Sequence, residues 1–288
     1  MFSIVIPTLN NVDYLKICIK SLRKNSNFKH QIIAHINIGQ DGTEKYLKSE
    51  KIDYTFSNYN SGICEGMNRA SKKAIFDYIL YAHDDFYFCP NWDTVMFEEV
   101  KKIGHKKFYL SGIMMNNGPL KFDCGDNLKT FDENKLLHNY KKFNHYDFQG
   151  STWAPHLIHK SLWNEVGGFS EEFYPGTGSD PDLNMKLWKK GVRIFKGLND
   201  CKVYHFGSIV TRNYKNHPTI KTESGSKGSK TFLIKWGISI KFFKKHYLKS
   251  NIPYDGVLSD PKKTLVYMFE LIICKVYLLY ILILSIFK

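Results

Sequence analysis

The most constraining stretch of this 288-residue chain is Tyr78-Ile79-Leu80-Tyr81-Ala82-His83-Asp84-Asp85-Phe86-Tyr87-Phe88. An apolar run that ends in two adjacent carboxylates reads as a buried strand handing its acids to the loop beyond a sheet edge. Neighbouring carboxylates repel unless a cation or a hydrogen-bond network lies between them. Open α/β sheets bind ligands outside the carboxyl ends of their strands. A hard divalent ion, Mg2+ or Mn2+, suits such a pair of oxygens. A solvated turn after a strand accounts for the same residues equally well, so the rest of the chain has to decide.

The pattern upstream narrows the fold. Phe2 to Ile6 reads as a buried strand closed by Pro7-Thr8-Leu9-Asn10, and Leu15, Ile19 and Leu22 recur at helical spacing after it. A second apolar run, Gln31 to Ile38, ends at Gln40-Asp41-Gly42-Thr43. A short strand near Tyr54–Ser57, the loop Asn58 to Gly62 and a helix from about Glu65 to Phe76 lead into the acidic stretch. Strands alternating with helices predict an α/β fold, a Rossmann-like and mostly parallel central sheet flanked by helices.

The net charge of +14 calls for an anionic partner: a phosphorylated substrate, an acidic membrane face or nucleic acid. No zinc-finger spacing, RNP-type motif or basic zipper accompanies that charge, so nucleic acid is not expected. The six cysteines include no C-x-x-C pair and read as reduced thiols. The chain opens directly on a strand without the pattern of a signal peptide, which points to the cytoplasm.

With these landmarks in order, the chain resembles the family 2 glycosyltransferases of the GT-A fold. The resemblance rests on Val5-Ile6-Pro7-Thr8-Leu9-Asn10, Asp41-Gly42-Thr43, Asn60-Ser61-Gly62 with Asn68, and Asp84-Asp85. It implies an inverting transfer from a nucleotide-diphosphate sugar, a UDP-sugar before others, to a hydroxyl of a glycan or lipid-linked acceptor. Pro7, Thr8, Asn10, Asn60, Gly62 and Asn68 would line the donor, and Asp41 would contact the base. Asp85 would hold Mn2+ or Mg2+ on the diphosphate, with Asp84 beside it near the ribose or the sugar. Gln40 stands where the family's turn usually carries another acid, and Phe86 where a third Asp often sits. A nucleotidyltransferase on a related sheet would instead carry a Gly-rich basic loop after the first strand, and Pro7 to Asn11 has neither Gly nor Lys. A non-catalytic polyanion binder is the other alternative that the charge supports.

Gly176-Thr177-Gly178-Ser179-Asp180-Pro181-Asp182-Leu183 is the second informative stretch. As plain structure it is a capped helix start, with Asp180 at the cap and Pro181 at the first helical position. As a relative of the family's E-D-x-D-L segment, with Ser179 in place of Glu, it offers Asp180 as catalytic base and Asp182 as a supporting or acceptor contact. Inverting transfer needs one carboxylate to take the acceptor's proton while a cation steadies the departing diphosphate. In the same resemblance His205 completes the metal site, and Arg212, just beyond, is placed to grip phosphate oxygens. Trp153 and residues 120–148 would shape the acceptor side.

These readings divide the chain into a catalytic domain at 1–220, with a donor half at about 1–115 and an acceptor half at 116–220. A Gly/Ser/Lys linker follows at 221–231. Residues 232–288 form a basic and hydrophobic helical appendage. Within it Leu271 to Phe287 falls just short of the roughly 20 residues of a spanning helix. An interfacial anchor on an anionic membrane surface is therefore expected, with packing on protein as the alternative.

Overall fold

A computed structural model describes residues 1–207, 209 and 225–286. Among these residues nine strands form one sheet in the order β3-β2-β1-β4-β8-β6-β9-β5, with β7 paired to β9. The strands are β1 (Ser3–Leu9), β2 (Gln31–Asn37), β3 (Asp53–Ser57), β4 (Tyr78–Tyr81), β5 (Phe86–Phe88), β6 (Phe108–Asn116), β7 (Phe148–Gln149), β8 (His156–His159) and β9 (Ile194–His205). The neighbours β3, β2, β1 and β4 run parallel, as do β6 and β9. Strand β8 runs against both β4 and β6, and β5 and β7 run against β9. The expected α/β architecture is therefore present, with the parallel half formed by residues before 82.

Strands β1 and β2 are buried on both faces because helices cover each side. Helix α1 (Val12–Asn25) turns Leu15, Cys18, Ile19 and Leu22 inward. Helix α2 (Thr43–Ser49), which local patterning does not announce, packs on β2. Helix α3 (Gly62–Ser71) lies on β1, β2 and β3, and α4 (Trp92–Ile103) lies against β9. Gly104 closes α4 in the left-handed conformation at φ 67°.

The segment 120–148 carries α5 (Glu133–Asn139) and a second apolar core around Tyr87, Leu136, Tyr140, Tyr204 and Phe206. It covers the strands that flank His205. Helix α6 (Lys160–Glu165) follows β8. Helix α7 spans Ser179–Lys189, with Gly178 at φ 88° as its cap. The chain turns into the helix two residues earlier than expected, so Asp180 sits inside the first turn and not at the cap.

The C-terminal region departs most from expectation. Residues 225–231, read as linker, are the opening turns of helix α8 (Gly225–Trp236). Apolar packing outweighs a loop-like composition here, because Phe232 and Leu233 are anchored in the main core. Ile238, Phe242, Phe243 and Leu248 join the same core, and Pro253 bridges to Phe148. Only helix α9 (Leu265–Ile286) stands apart in character. It begins earlier than the apolar run suggested, and Leu265–Leu284 is long and apolar enough to cross a membrane by length and composition. A stripe of Tyr267, Leu271, Cys274, Leu278 and Ile281 packs on the body. Val266, Phe269, Ile272, Ile273, Val276 and Leu279 are exposed.

Candidate active site

Strand β4 ends at Tyr81, and the next residues carry the chemistry. Asp84 is buried, and its Oδ2 accepts the Thr8 hydroxyl at 2.7 Å. Burial and the adjacent Asp85 raise its pKa to about 7. Asp85 is buried too. Burial pushes its pKa up, but the bond and charge of His205, the charge of His83 and the Ile209 amide outweigh that and hold it low. The Asp85 Oδ2 lies 3.4 Å from His205 Nε2.

His83, Asp85 and His205 form a cluster whose donor atoms all lie within 4.8 Å of one another. The ring of Phe86 stacks on His83 at 4.7 Å and meets His205 edge-on at 5.1 Å. Phe86 thus clamps the two imidazoles in the place where a third carboxylate would otherwise stand. His205 Nδ1 faces the carbonyl of Asn117 at 3.1 Å. A carbonyl only accepts, so Nδ1 carries a proton, and Nε2 is the atom turned to Asp85. Nε2 donates to that carboxylate when the ring is protonated and offers a lone pair to a cation when it is neutral. Burial lowers the pKa of His83 to about 4, which keeps that ring neutral and able to ligate. A set of two nitrogens and one oxygen suits Mn2+ and other borderline ions better than Mg2+, which prefers oxygen alone.

On the neighbouring strand β8, His156 is paired in register with Tyr81. The Tyr81 ring lies 5.2 Å from that of His83 and 5.1 Å from that of His156. The Nδ1 of His156 meets the Tyr109 hydroxyl at 2.9 Å and lies 3.8 Å from Asp180 Oδ1. So the acidic loop after β4 and the first turn of α7 meet across one buried tyrosine and one buried histidine. Burial holds His156 down to about 3 and lifts Asp180 to about 7. Among the described residues Asp180 Oδ1 has no hydrogen-bond partner. Oδ1 itself is buried, while the Asp180 side chain as a whole is 29% exposed, so a substrate would reach the remainder of the carboxylate. A carboxylate whose pKa lies near neutrality, with an unused acceptor atom, is equipped as a general base.

The model of the family described as "Glycosyl transferase family 2" matches residues 3–154, more than half of the chain. The chain belongs to glycosyl transferase family 2. No curated protein sequence matches this glycosyltransferase significantly. Among solved structures, residues 1–349 of TarS from S. aureus are similar at 16% identity and a TM-score of 0.54. That likeness covers 80% of this chain and 68% of that one. The same TarS piece in complex with UDP gives a TM-score of 0.53 at 16% identity, covering 84% of this chain and 74% of that one. The UDP-GlcNAc complex gives 0.52 at 15% identity with the same coverages. At these identities the likeness speaks for the fold.

Several residues expected to touch substrate serve the scaffold of this glycosyltransferase. Asp41 accepts the Val12 amide at 2.7 Å through Oδ2 and the Thr43 hydroxyl at 2.6 Å through Oδ1, tying the starts of α1 and α2 together. Asn10, at φ 45°, accepts the Gln40 amide, and Pro7 pairs with His35 inside the sheet. Asn60 caps the turn into α3 by accepting the Gly62 amide at 3.0 Å. Asn68 is turned to the protein: it bonds both the amide and the carbonyl of Phe169, and Glu171. Asp182 is turned into the protein, where a supporting residue would lie. It is fully buried and accepts from Ser170 at 2.6 Å, Trp236 at 2.8 Å and Lys235 at 3.0 Å. Alternate acids of one motif face opposite ways because helical geometry turns successive residues by about 100°. Trp153 donates to the Gly112 carbonyl at 2.8 Å and meets Phe148 edge-on. Arg212 lies outside the described residues.

Sequence reasoning missed His83 and His156 as site residues. His83 stands directly before the acidic pair, which is a legible signal. Nothing local marks His156, whose meaning comes from strand pairing.

Proposed function

We propose that this protein is a metal-dependent, inverting glycosyltransferase that moves a sugar from a UDP-sugar to a hydroxyl of a glycan or lipid-linked acceptor. The observation that carries the reading is the placement of the His83–Asp85–His205 cluster and Asp180 around the carboxyl end of β4. The TarS structures with UDP and UDP-GlcNAc favour uridine among donors.

In this reading Asp85, His205 and His83 hold a divalent ion, Mn2+ before Mg2+, which supplies charge stabilisation to the leaving diphosphate. Asp84, tied to Thr8, borders the donor's ribose or sugar. Asp180 takes the proton of the acceptor hydroxyl as that oxygen attacks the anomeric carbon. The new C–O bond forms opposite the C–O bond to phosphate, which breaks with its electron pair leaving on the diphosphate, so the configuration inverts. Tyr109 and His156 hold the walls beside Asp180, and the low basicity of His156 keeps it from taking the proton itself. Trp153 lines the acceptor side. Helix α9 rests in the surface of an anionic membrane, with its packed stripe toward the protein and its exposed flank toward lipid.

A donor screen tests the assignment: hydrolysis and thermal protection with UDP-, GDP-, CDP- and dTDP-sugars, with and without Mn2+. Mn2+-dependent turnover of a UDP-sugar is expected. Absence of both binding and hydrolysis for every donor would remove the proposal.

A further inference from the structure

Away from the β4 site, a cavity of about 730 Å3 opens between Ser229 in the first half of α8, the short helical segment 240–247 and the loop 249–252. Its walls include Lys241, Lys244, Lys245, Lys249, Ser250 and Asn251. Among the described residues Lys241, Lys244 and Lys249 have no carboxylate partner. Lys245 shares Glu270 of α9, at 2.5 Å, with His246 at 2.6 Å. Four lysines thus line one cavity with Glu270 as the carboxylate paired to one of them, and desolvation pushes the half-buried Lys244 to a lower pKa. An anion in the cavity would offset that desolvation and pair with the other ammonium groups.

The walls are built, not merely crowded. Ser250 donates through its hydroxyl to the Gly150 carbonyl at 2.6 Å and through its amide to the Lys244 carbonyl at 2.9 Å. The Gln149 amide donates to the Ile252 carbonyl at 2.9 Å, fixing the loop to β7. Lys249 and Asn251 hold left-handed backbone conformations at φ 48° and 70°, which set the turn that brings Lys249 to the rim.

We propose that this cavity is a phosphate-binding site, in which Lys241, Lys244 and Lys249 hold a phosphate mono- or diester or a diphosphate. The compact ammonium of lysine is a common phosphate ligand. Glu270 fastens α9 to the cavity wall through Lys245 and His246, so the exposed apolar flank of that helix begins beside the lysines. A ligand that matches both features joins a phosphate to an apolar chain, so the head group of an anionic lipid is the favoured source. That source rests on the membrane reading of α9, while the site itself does not.

The full-length protein separates these. Flotation is compared on phosphatidylcholine vesicles with and without phosphatidylglycerol, and thermal melting is followed with inorganic pyrophosphate. The variants are Lys241→Gln/Lys244→Gln/Lys249→Gln and a control of equal charge loss beside β3 and α3, Lys51→Gln/Lys72→Gln/Lys73→Gln. The cavity triple is expected to lose about tenfold or more of the preference for phosphatidylglycerol, and the control less than about twofold. Lys244→Arg, which keeps the charge, is expected to bind as the unaltered chain does and serves if the triple variant fails to fold. Pyrophosphate stabilisation lost only in the cavity triple, without any lipid preference, keeps the site and assigns it a soluble phosphate. Equal losses in both triples, or no response to either probe, would overturn the proposal. Donor hydrolysis at the β4 site is measured alongside, so failure of one reading is not mistaken for failure of the other.

Discussion

The carbonyl of Pro175 accepts the Ile63 amide at 2.7 Å, and this bond fastens the segment leading to Asp180 onto the start of α3. Gly62 sits beneath it at φ 71°, where an added Cβ would lie 2.8 Å from the Pro175 oxygen. Only glycine meets both the backbone angle and the close approach. Gly62→Ala is expected to destabilise the fold by roughly 1–3 kcal/mol and to slow transfer, because the two halves of the site lose their spacing. Thermal melting together with a steady-state assay checks it, and an unchanged melt would show the junction to be slack.

Asp180 carries the clearest pH signature. Its pKa, raised by burial from 3.8 to about 7, predicts that kcat climbs with pH up to about 7 and then levels, since the base works only when ionised. Asp180→Asn should lower kcat by roughly 10²–10⁴ while leaving donor binding intact.

The same shift has a sign in stability. A carboxyl that the fold prefers neutral contributes most below about pH 4, and that contribution is lost as pH rises from about 4 to 7. Asp180→Asn should therefore melt like the parent near pH 4 and higher near pH 8, by on the order of 1–3 kcal/mol. Parallel melting curves at both pH values would contradict the burial argument.

Metal dependence should follow His83, Asp85 and His205. Chelation is expected to abolish transfer and Mn2+ to restore it. His205→Ala and Asp85→Asn should each weaken Mn2+ binding by at least about tenfold, read by electron paramagnetic resonance of the free ion. Unchanged Mn2+ affinity in both variants would place the ion elsewhere.

Asp182 gives the opposite profile to Asp180. Removing it leaves Lys235 and the Trp236 indole without their buried acceptor, so Asp182→Ala should destabilise by about 2–4 kcal/mol. The KM for donor at a temperature where the variant is folded should stay within about twofold. A selective rise in acceptor KM with a normal melt would return Asp182 to the substrate.

The parallel half of the sheet was legible because β1, β2 and β4 are short apolar runs bounded by turn residues, and α1 shows its buried stripe at helical spacing. The acidic pair, Asp180 and His205 were legible as residue types in a family order. Helix α8 was not, since Gly225 to Lys230 has the composition of a linker and only the burial of Phe232 and Leu233 secures the helix. Strand β8 was missed for its length: four residues with histidine at both ends carry too little pattern to read alone.

The sequence by itself determined the local elements and the inventory of acids, because periodicity and turn chemistry act between residues close along the chain. Tertiary structure decided which acids do what. Asp180 and Asp182 are two positions apart, yet one faces His156 beside β4 and the other is locked to Lys235 and Trp236. That division depends on which strand lies next to β4 and which helix packs on α7, and such long-range neighbours are set by the whole core, not by the segment that carries the residues.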